Sequence, residues 1–218
     1  IFSEAGPISL EEGDLKLKLL PEITIESNFK TNIKYDKKLK KYTNLFKYLD
    51  FAKDISNLEA NLNNSFSINL DKTYKVKKYN FKSKGLIIKS NLDFKKPLKN
   101  NFLNEEINQL SLINSEIKTN FSYRKNTTSI SGRYLLNGED ALLFNLENII
   151  DKDILKLKLN TEYKKPLELE IINYKKPNKL IANLFLNLEK QKNKIKINEM
   201  NLTEGNNLIS IKDLKLHK

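Results

Sequence analysis

Strict alternation of apolar and polar residues is the feature that most limits the folds open to this chain. Leu155, Leu157 and Leu159 are separated by single lysines, and residues 15–19 and 66–70 repeat the same pattern. A period of two residues is that of a β-strand, and it places the apolar side chains on one face. About a dozen such segments, separated by short turns that contain Gly or Asn, predict a mainly β protein built as a long antiparallel meander.

A short motif that ends in Lys-Lys-Pro occurs three times. Tyr precedes it at residues 163–166 and 174–177, eleven positions apart, and Phe precedes it at residues 94–97. Proline has no N–H for a ladder hydrogen bond and is typical of strand starts and sheet edges, where neighbouring lysines discourage edge pairing. The spacing equals one strand plus one turn. We therefore interpret the motif as a boundary between strands, with its lysines in solvent.

Two stretches depart from the alternation. Residues 38–53 carry apolar side chains at helical spacing, which predicts one short α-helix packed on the sheet. Residues 139–150 have apolar positions that fit a helix and a strand equally, so both remain open. We expect residues 1–218 to form a single β-rich segment, and the initial Ile suggests a piece of a larger protein.

The net charge of +12 raises the question of a nucleic-acid partner. Apart from Arg124 and Arg133, all 39 basic residues are lysines, and they are spread along the chain at the polar positions of alternating segments. Phosphate-binding surfaces favour arginine forks and clustered charge. The lysines therefore indicate a solvated polar face, and we expect no nucleic acid among the partners.

The residues needed for common catalytic and metal sites are missing from the sequence. His217 is the one histidine, the chain has no cysteine, and its six glycines are scattered. These counts exclude a Ser-His-Asp triad, a thiolate metal site and a glycine-rich phosphate loop. We expect a protein that is not an enzyme, with no catalytic residue, no metal ligand and no cofactor. The longest apolar runs are too short to span a membrane.

Strands with one apolar and one polar face create an apolar surface that must be covered. A dozen strands about 4.8 Å apart and about 20 Å long give an apolar face on the order of 1,000 Å². Soluble monomers rarely expose more than a few hundred Å² of contiguous apolar surface. A second sheet would make a β-sandwich, the fold of a structural or adhesive surface domain without lipid binding. A helix is a second cover, but one of about sixteen residues is only about 24 Å long and shields part of the face. Apolar ligands are the third cover, and they predict a sheet curled into an open groove around acyl chains.

The last stretch, LTEGNNLISIKDLKL at residues 202–216, joins a polar turn to renewed alternation at Ile209 and Ile211. Together with the Leu-Lys-Leu-Lys-Leu runs, it resembles the AsmA-like envelope proteins, and within them the YhdP-type branch. The resemblance implies a repeating β-groove in the periplasm of a Gram-negative cell, anchored to the inner membrane. Its partners would be phospholipid acyl chains and, through parts outside this segment, the inner and outer membranes. The implied function is phospholipid transport between those membranes.

The groove floor would consist of the apolar positions in the second half of the chain. Ile154, Ile172, Ile181 and Phe185 offer the other face of the same segments, so the parity of some strands stays open. The candidate lipid-contacting residues are Leu155, Leu157, Leu159, Leu167, Leu169, Ile171, Leu184, Leu186, Leu188, Ile195 and Ile197.

Overall fold

The computed structural model describes residues 3–5, 8–36, 54–99, 105–169 and 172–217. Most of these residues lie in fourteen strands. In chain order the strands are β1 (Ser3–Ala5), β2 (Ile8–Lys18), β3 (Ile23–Asp36), β4 (Ile55–Leu70), β5 (Val76–Leu98), β6 (Ile107–Ser122), β7 (Lys125–Leu136), β8 (Leu142–Asp151), β9 (Ile154–Tyr163), β10 (Leu167–Leu169), β11 (Tyr174–Lys176), β12 (Ala182–Gln191), β13 (Lys194–Glu204) and β14 (Asn207–His217).

The long strands form one antiparallel meander, as the alternation predicted. Strands β1 to β9 follow one another across the sheet, and β12, β13 and β14 continue it. Eleven of these strands are long and the twelfth, β1, has three residues. Between β9 and β12 the chain leaves the sheet and forms a separate hairpin of β10 and β11. Most connections within the sheet are short, because antiparallel neighbours need only a tight turn; residues 37–54 between β3 and β4 are a longer one.

The pairing register places the apolar positions of neighbouring strands on the same face. One row of successive partners across β8, β9, β12, β13 and β14 is apolar: Leu146, Leu159, Leu186, Met200 and Ile211. The next row of partners faces the other way and is polar: Glu147, Lys158, Asn187, Glu199 and Lys212. The apolar and polar faces expected from the sequence therefore continue from one strand to the next, because directly opposite residues point to the same side of a sheet.

The prediction that the sheet curls into a groove is wrong, because the sheet is neither closed nor strongly curled. Curling toward one face needs bulges and glycines repeated at matching positions of neighbouring strands. Here the shifts of β5 and β6, at Glu59/Ala60 and Ile113/Glu116, lie side by side, but those of β2 and β12 have no such neighbour. Bends that line up across only two strands leave the sheet as a whole open and twisted.

The two stretches that departed from the alternation have different outcomes. The helix predicted over residues 38–53 lies outside the described residues, and no α-helix occurs within them. Residues 139–150, which were open between helix and strand, include most of β8. Ladders to β7 on one side and β9 on the other use the backbone groups that a helix would pair internally. None of the described elements is a helix long and apolar enough to cross a membrane.

A small hydrophobic core lies on the apolar face where β3, β4 and β5 meet. Tyr35 and Ile55 are buried there, and Ile33, Leu58 and Leu92 pack around them. Most other apolar side chains of the sheet are only half-buried. The fold thus rests on ladder hydrogen bonds and contacts between neighbouring strands more than on a central core.

Candidate functional site

The strongest candidate for a binding surface is the apolar face of β8, β9, β12, β13 and β14, which we call the apolar platform. The register places eight predicted lipid-contacting residues on it: Leu155, Leu157, Leu159, Leu184, Leu186, Leu188, Ile195 and Ile197. Leu167 and Leu169 are not on the platform, because β10 pairs only with β11 outside the main sheet. Ile171 lies outside the described residues.

Several platform residues were absent from the predicted set: Leu142, Phe144, Leu146, Ile150, Met200, Leu202, Ile209, Ile211, Leu214 and Leu216. Those of β8 were missed because the sequence did not decide between helix and strand. Met200 was missed because it stands three residues after Ile197, which breaks the period of two. The register shift between β12 and β13 absorbs one residue and returns Met200 to the same face.

The platform is broad and largely uncovered. Five strands about 4.8 Å apart and about 30 Å long give a face on the order of 700 Å². Extensive contacts between described strands run only between hydrogen-bonded neighbours, so no second layer of described strands packs on the platform. At its edge Leu214 and Leu216 are 38% and 45% exposed. The area exceeds the apolar patch that soluble monomers usually expose.

The opposite face of the same strands is mainly polar and charged. Lys156 forms an ion pair with Glu189 at 3.4 Å, and Lys196 forms one with Asp213 at 3.0 Å. Ile154 and Phe185 are apolar exceptions on this face. Exposed ion pairs add little stability, but they keep the face solvated. The two sides of the sheet therefore differ in chemistry, one being mainly charged and solvated and the other apolar.

The hairpin of β10 and β11 closes one end of the platform through a buried lysine. Lys176 is 2% exposed, and its Nζ donates to the carbonyl oxygens of Lys164, Lys165 and Pro177 at 2.7, 3.0 and 3.2 Å. The same ammonium lies 5.8 Å from the ring centroid of Tyr163 at the end of β9. Burial lowers the pKa of Lys176, and the carbonyl oxygens compensate for the lost water.

Further polar contacts fasten this hairpin to the sheet. Lys165 binds the carboxylates of Glu105 and Glu139, the second at 2.7 Å. Burial disfavours its charge, but hydrogen bonds to both carboxylates outweigh burial and raise its pKa. The Tyr174 hydroxyl donates to Glu204 Oε2 at 3.0 Å, and burial raises the pKa of Tyr174 to about 12. The hairpin is therefore a fixed boundary of the platform.

These contacts correct the interpretation of the Lys-Lys-Pro motif. The second lysine of each Tyr-Lys-Lys-Pro copy, Lys165 and Lys176, is buried and does not lie in solvent. In the third copy Lys95 and Lys96 are exposed within β5. The difference arises because carbonyl oxygens next to the hairpin satisfy the ammonium of Lys176, and the distant carboxylates of Glu105 and Glu139 satisfy that of Lys165.

Replacing Lys176 with methionine is expected to lower the free energy of unfolding by about 2 kcal/mol, measured by urea denaturation. Methionine fills a similar volume but leaves three carbonyl oxygens without a donor. The matched control is methionine at the neighbouring Lys175, whose side chain is 70% exposed. It should change the free energy of unfolding by less than about 0.5 kcal/mol. Equal effects of the two substitutions would show that the buried ammonium does not hold the hairpin.

Neither a search for metal-binding side chains nor comparison with known proteins identifies a further site. Among the described residues, no group of three or more His, Cys, Asp or Glu side chains is placed to bind a metal ion. No protein family, curated protein or solved structure matches the chain. What the described arrangement offers chemically is a wide apolar surface that is bounded at one end and backed by a solvated polar face.

Proposed function

We propose that this chain is a segment of a lipid-transport protein that is not an enzyme, and that the apolar platform holds phospholipid acyl chains. The observation that supports the proposal is a single layer of strands with one apolar face that the described residues leave open. Acyl chains are a cover that matches its chemistry, because they form no hydrogen bonds and gain free energy when removed from water.

Transport on such a surface would be passive. Each buried CH₂ group contributes about 0.8 kcal/mol, so a chain is held by many small contacts and no single one dominates. Apolar rows that cross five strands provide equivalent contacts at each step, as in the row from Leu146 to Ile211. Headgroups would remain at the wet edge of the sheet. An open sheet suits this mechanism, because lipids enter from the side.

The cellular setting of the proposal rests on the sequence resemblance to AsmA-like proteins. In that setting the segment lies in the periplasm of a Gram-negative cell and belongs to a longer protein anchored in the inner membrane. The apolar platform would then be one stretch of a path along which phospholipids pass between the inner and outer membranes. The tail at residues 202–216, a polar turn followed by Ile209 and Ile211, is the stretch in which the resemblance is most specific.

The alternative function, a structural or adhesive β-sandwich, requires a second sheet packed on the platform. The described strands supply one large sheet and one two-stranded hairpin, which touches only the end of the platform near Tyr163. The sandwich would therefore need another copy or another segment as its second layer. That requirement distinguishes the two functions by experiment.

The test is to purify the protein without detergent and to identify bound lipid by native mass spectrometry and by extraction followed by thin-layer chromatography. We expect phospholipid to co-purify with a monomer. A monomer free of lipid would contradict the proposal. A dimer free of lipid, with the platform protected from hydrogen exchange, would instead support the sandwich.

A further inference from the structure

The polar face of the sheet carries a depression of about 580 Å³ above strands β3 to β6, on the side opposite the apolar face. Four lysines line it: Lys30, Lys82, Lys84 and Lys118. We call it the cationic depression. Its volume falls within the range of about 300–1,000 Å³ that is usual for small-molecule sites.

Positive charge in the cationic depression is poorly balanced. Its one carboxylate, Glu12, forms an ion pair with Lys30. Lys84 stands directly opposite Lys118 in the pairing of β5 and β6. Like charges at directly opposite positions destabilise a sheet. Among the described residues, Lys82, Lys84 and Lys118 form no ion pair, so an anion bound between them would relieve the repulsion.

Uncharged acceptors lie beside these lysines. A smaller hollow continues the depression along β4 and β5 and shares Asn28, Ser65 and Lys82 with it. Asn120 lines the depression and Asn80 lines the hollow. The Oδ1 atoms of both are buried and have no hydrogen-bond partner in the described part of the chain. Burial keeps these two atoms out of reach of a ligand, but the exposed Asn63 and the half-buried Ser65 also line the depression and can accept from a ligand's hydroxyl groups.

We propose that the cationic depression binds a small molecule that carries both phosphate and hydroxyl groups, a phosphorylated sugar or polyol. The phosphate lies between Lys84 and Lys118, and the hydroxyls donate to Asn63 and Ser65, which stand on β4 opposite Lys84 and Lys82. Lysine is a common phosphate ligand that acts as a point charge. This inference is independent of the apolar platform, because the two surfaces lie on opposite faces and on different strands.

A single-stranded nucleic acid fits the cationic depression less well. Sequence-tolerant binding of single strands depends on aromatic rings on which the bases stack. Phe29 lines the depression, but it belongs to the apolar face, where its ring meets that of Phe66 at a centroid distance of 6.3 Å. The side chains that line the depression on the polar face are lysines, asparagines, a serine and Glu12, which is paired with Lys30. They favour a compact anion with hydroxyl groups.

The test is isothermal titration calorimetry of the full chain with glucose 6-phosphate and with inorganic phosphate. We expect glucose 6-phosphate to bind about tenfold more tightly, since it adds hydroxyl donors. The variant with Lys84→Gln and Lys118→Gln should weaken binding of glucose 6-phosphate by about tenfold or more. The variant with Lys158→Gln and Lys212→Gln is the control, because it removes the same charge from the same face at positions that do not line the depression.

A second arm separates soluble ligands from lipid headgroups, using vesicles of phosphatidylglycerol and of phosphatidylcholine. Binding of phosphatidylglycerol vesicles that the Lys84 and Lys118 substitutions abolish would support the site and assign its phosphate to a headgroup. Binding of glucose 6-phosphate alone would support the site and assign a soluble ligand. No binding of either probe would overturn the proposal, as would equal weakening in both double variants. An oligonucleotide that binds more tightly than both probes and depends on the same lysines would also overturn it.

Discussion

Replacing Leu157 and Leu186 with aspartate is expected to reduce the phospholipid retained by the purified protein by about tenfold or more. The two leucines lie on neighbouring strands of the apolar platform, where Leu157 pairs with Leu188 and Leu186 pairs with Leu159. A carboxylate there must stay hydrated, so it would hold water on the surface that acyl chains have to cover. The readout is lipid per protein after extraction, quantified by mass spectrometry.

The control for this experiment changes the opposite face of the same strands. Lys158 pairs with Asn187 on that face, and aspartate at both positions introduces the same new carboxylates without touching the platform. This variant should retain lipid as the unmodified chain does. Methionine at Leu157 and Leu186 conserves apolar volume and should also retain it. If the aspartate variant stays folded and retains lipid unchanged, the acyl chains do not bind to the platform.

Replacing Gly85 with alanine is expected to lower the free energy of unfolding by about 3 kcal/mol, or to prevent folding. A Cβ at this position would lie 2.0 Å from the carbonyl oxygen of Asn61 and 2.9 Å from Cα of Leu62. These are backbone atoms of β4, paired in a ladder with β5, so they cannot move aside without loss of hydrogen bonds. Urea denaturation followed by circular dichroism measures the effect.

The same substitution at Gly138 is the control, because it tests conformation without a clash. A Cβ there would meet no atom within 4 Å, but the backbone φ of +75° is unfavourable for alanine. We expect a loss of about 1 kcal/mol. An effect at Gly85 no larger than that at Gly138 would contradict the close approach of β4 and β5.

The hairpin of β10 and β11 shows why part of the candidate site was beyond prediction. Lys165 is buried because Glu105, 60 residues earlier in the chain, supplies a carboxylate. The residues around Lys165 in the sequence do not indicate that partner, and Lys-Lys-Pro by itself is equally typical of an exposed strand end. Leu167 and Leu169 alternate like the strands of the sheet, yet their strand pairs with β11 alone. Alternation predicts a strand but does not identify its neighbour.

The single period of two was sufficient to predict a meander with apolar and polar sides, because side chains of a strand alternate between faces whatever the strand pairs with. That is why eight predicted residues, from Leu155 to Ile197, share one face. Tertiary structure alone decided that the sheet stays open, that β8 is a strand and that Met200 joins the platform. These features depend on where bulges fall relative to neighbouring strands and on which strands supply hydrogen bonds, and both are set by contacts distant in the sequence.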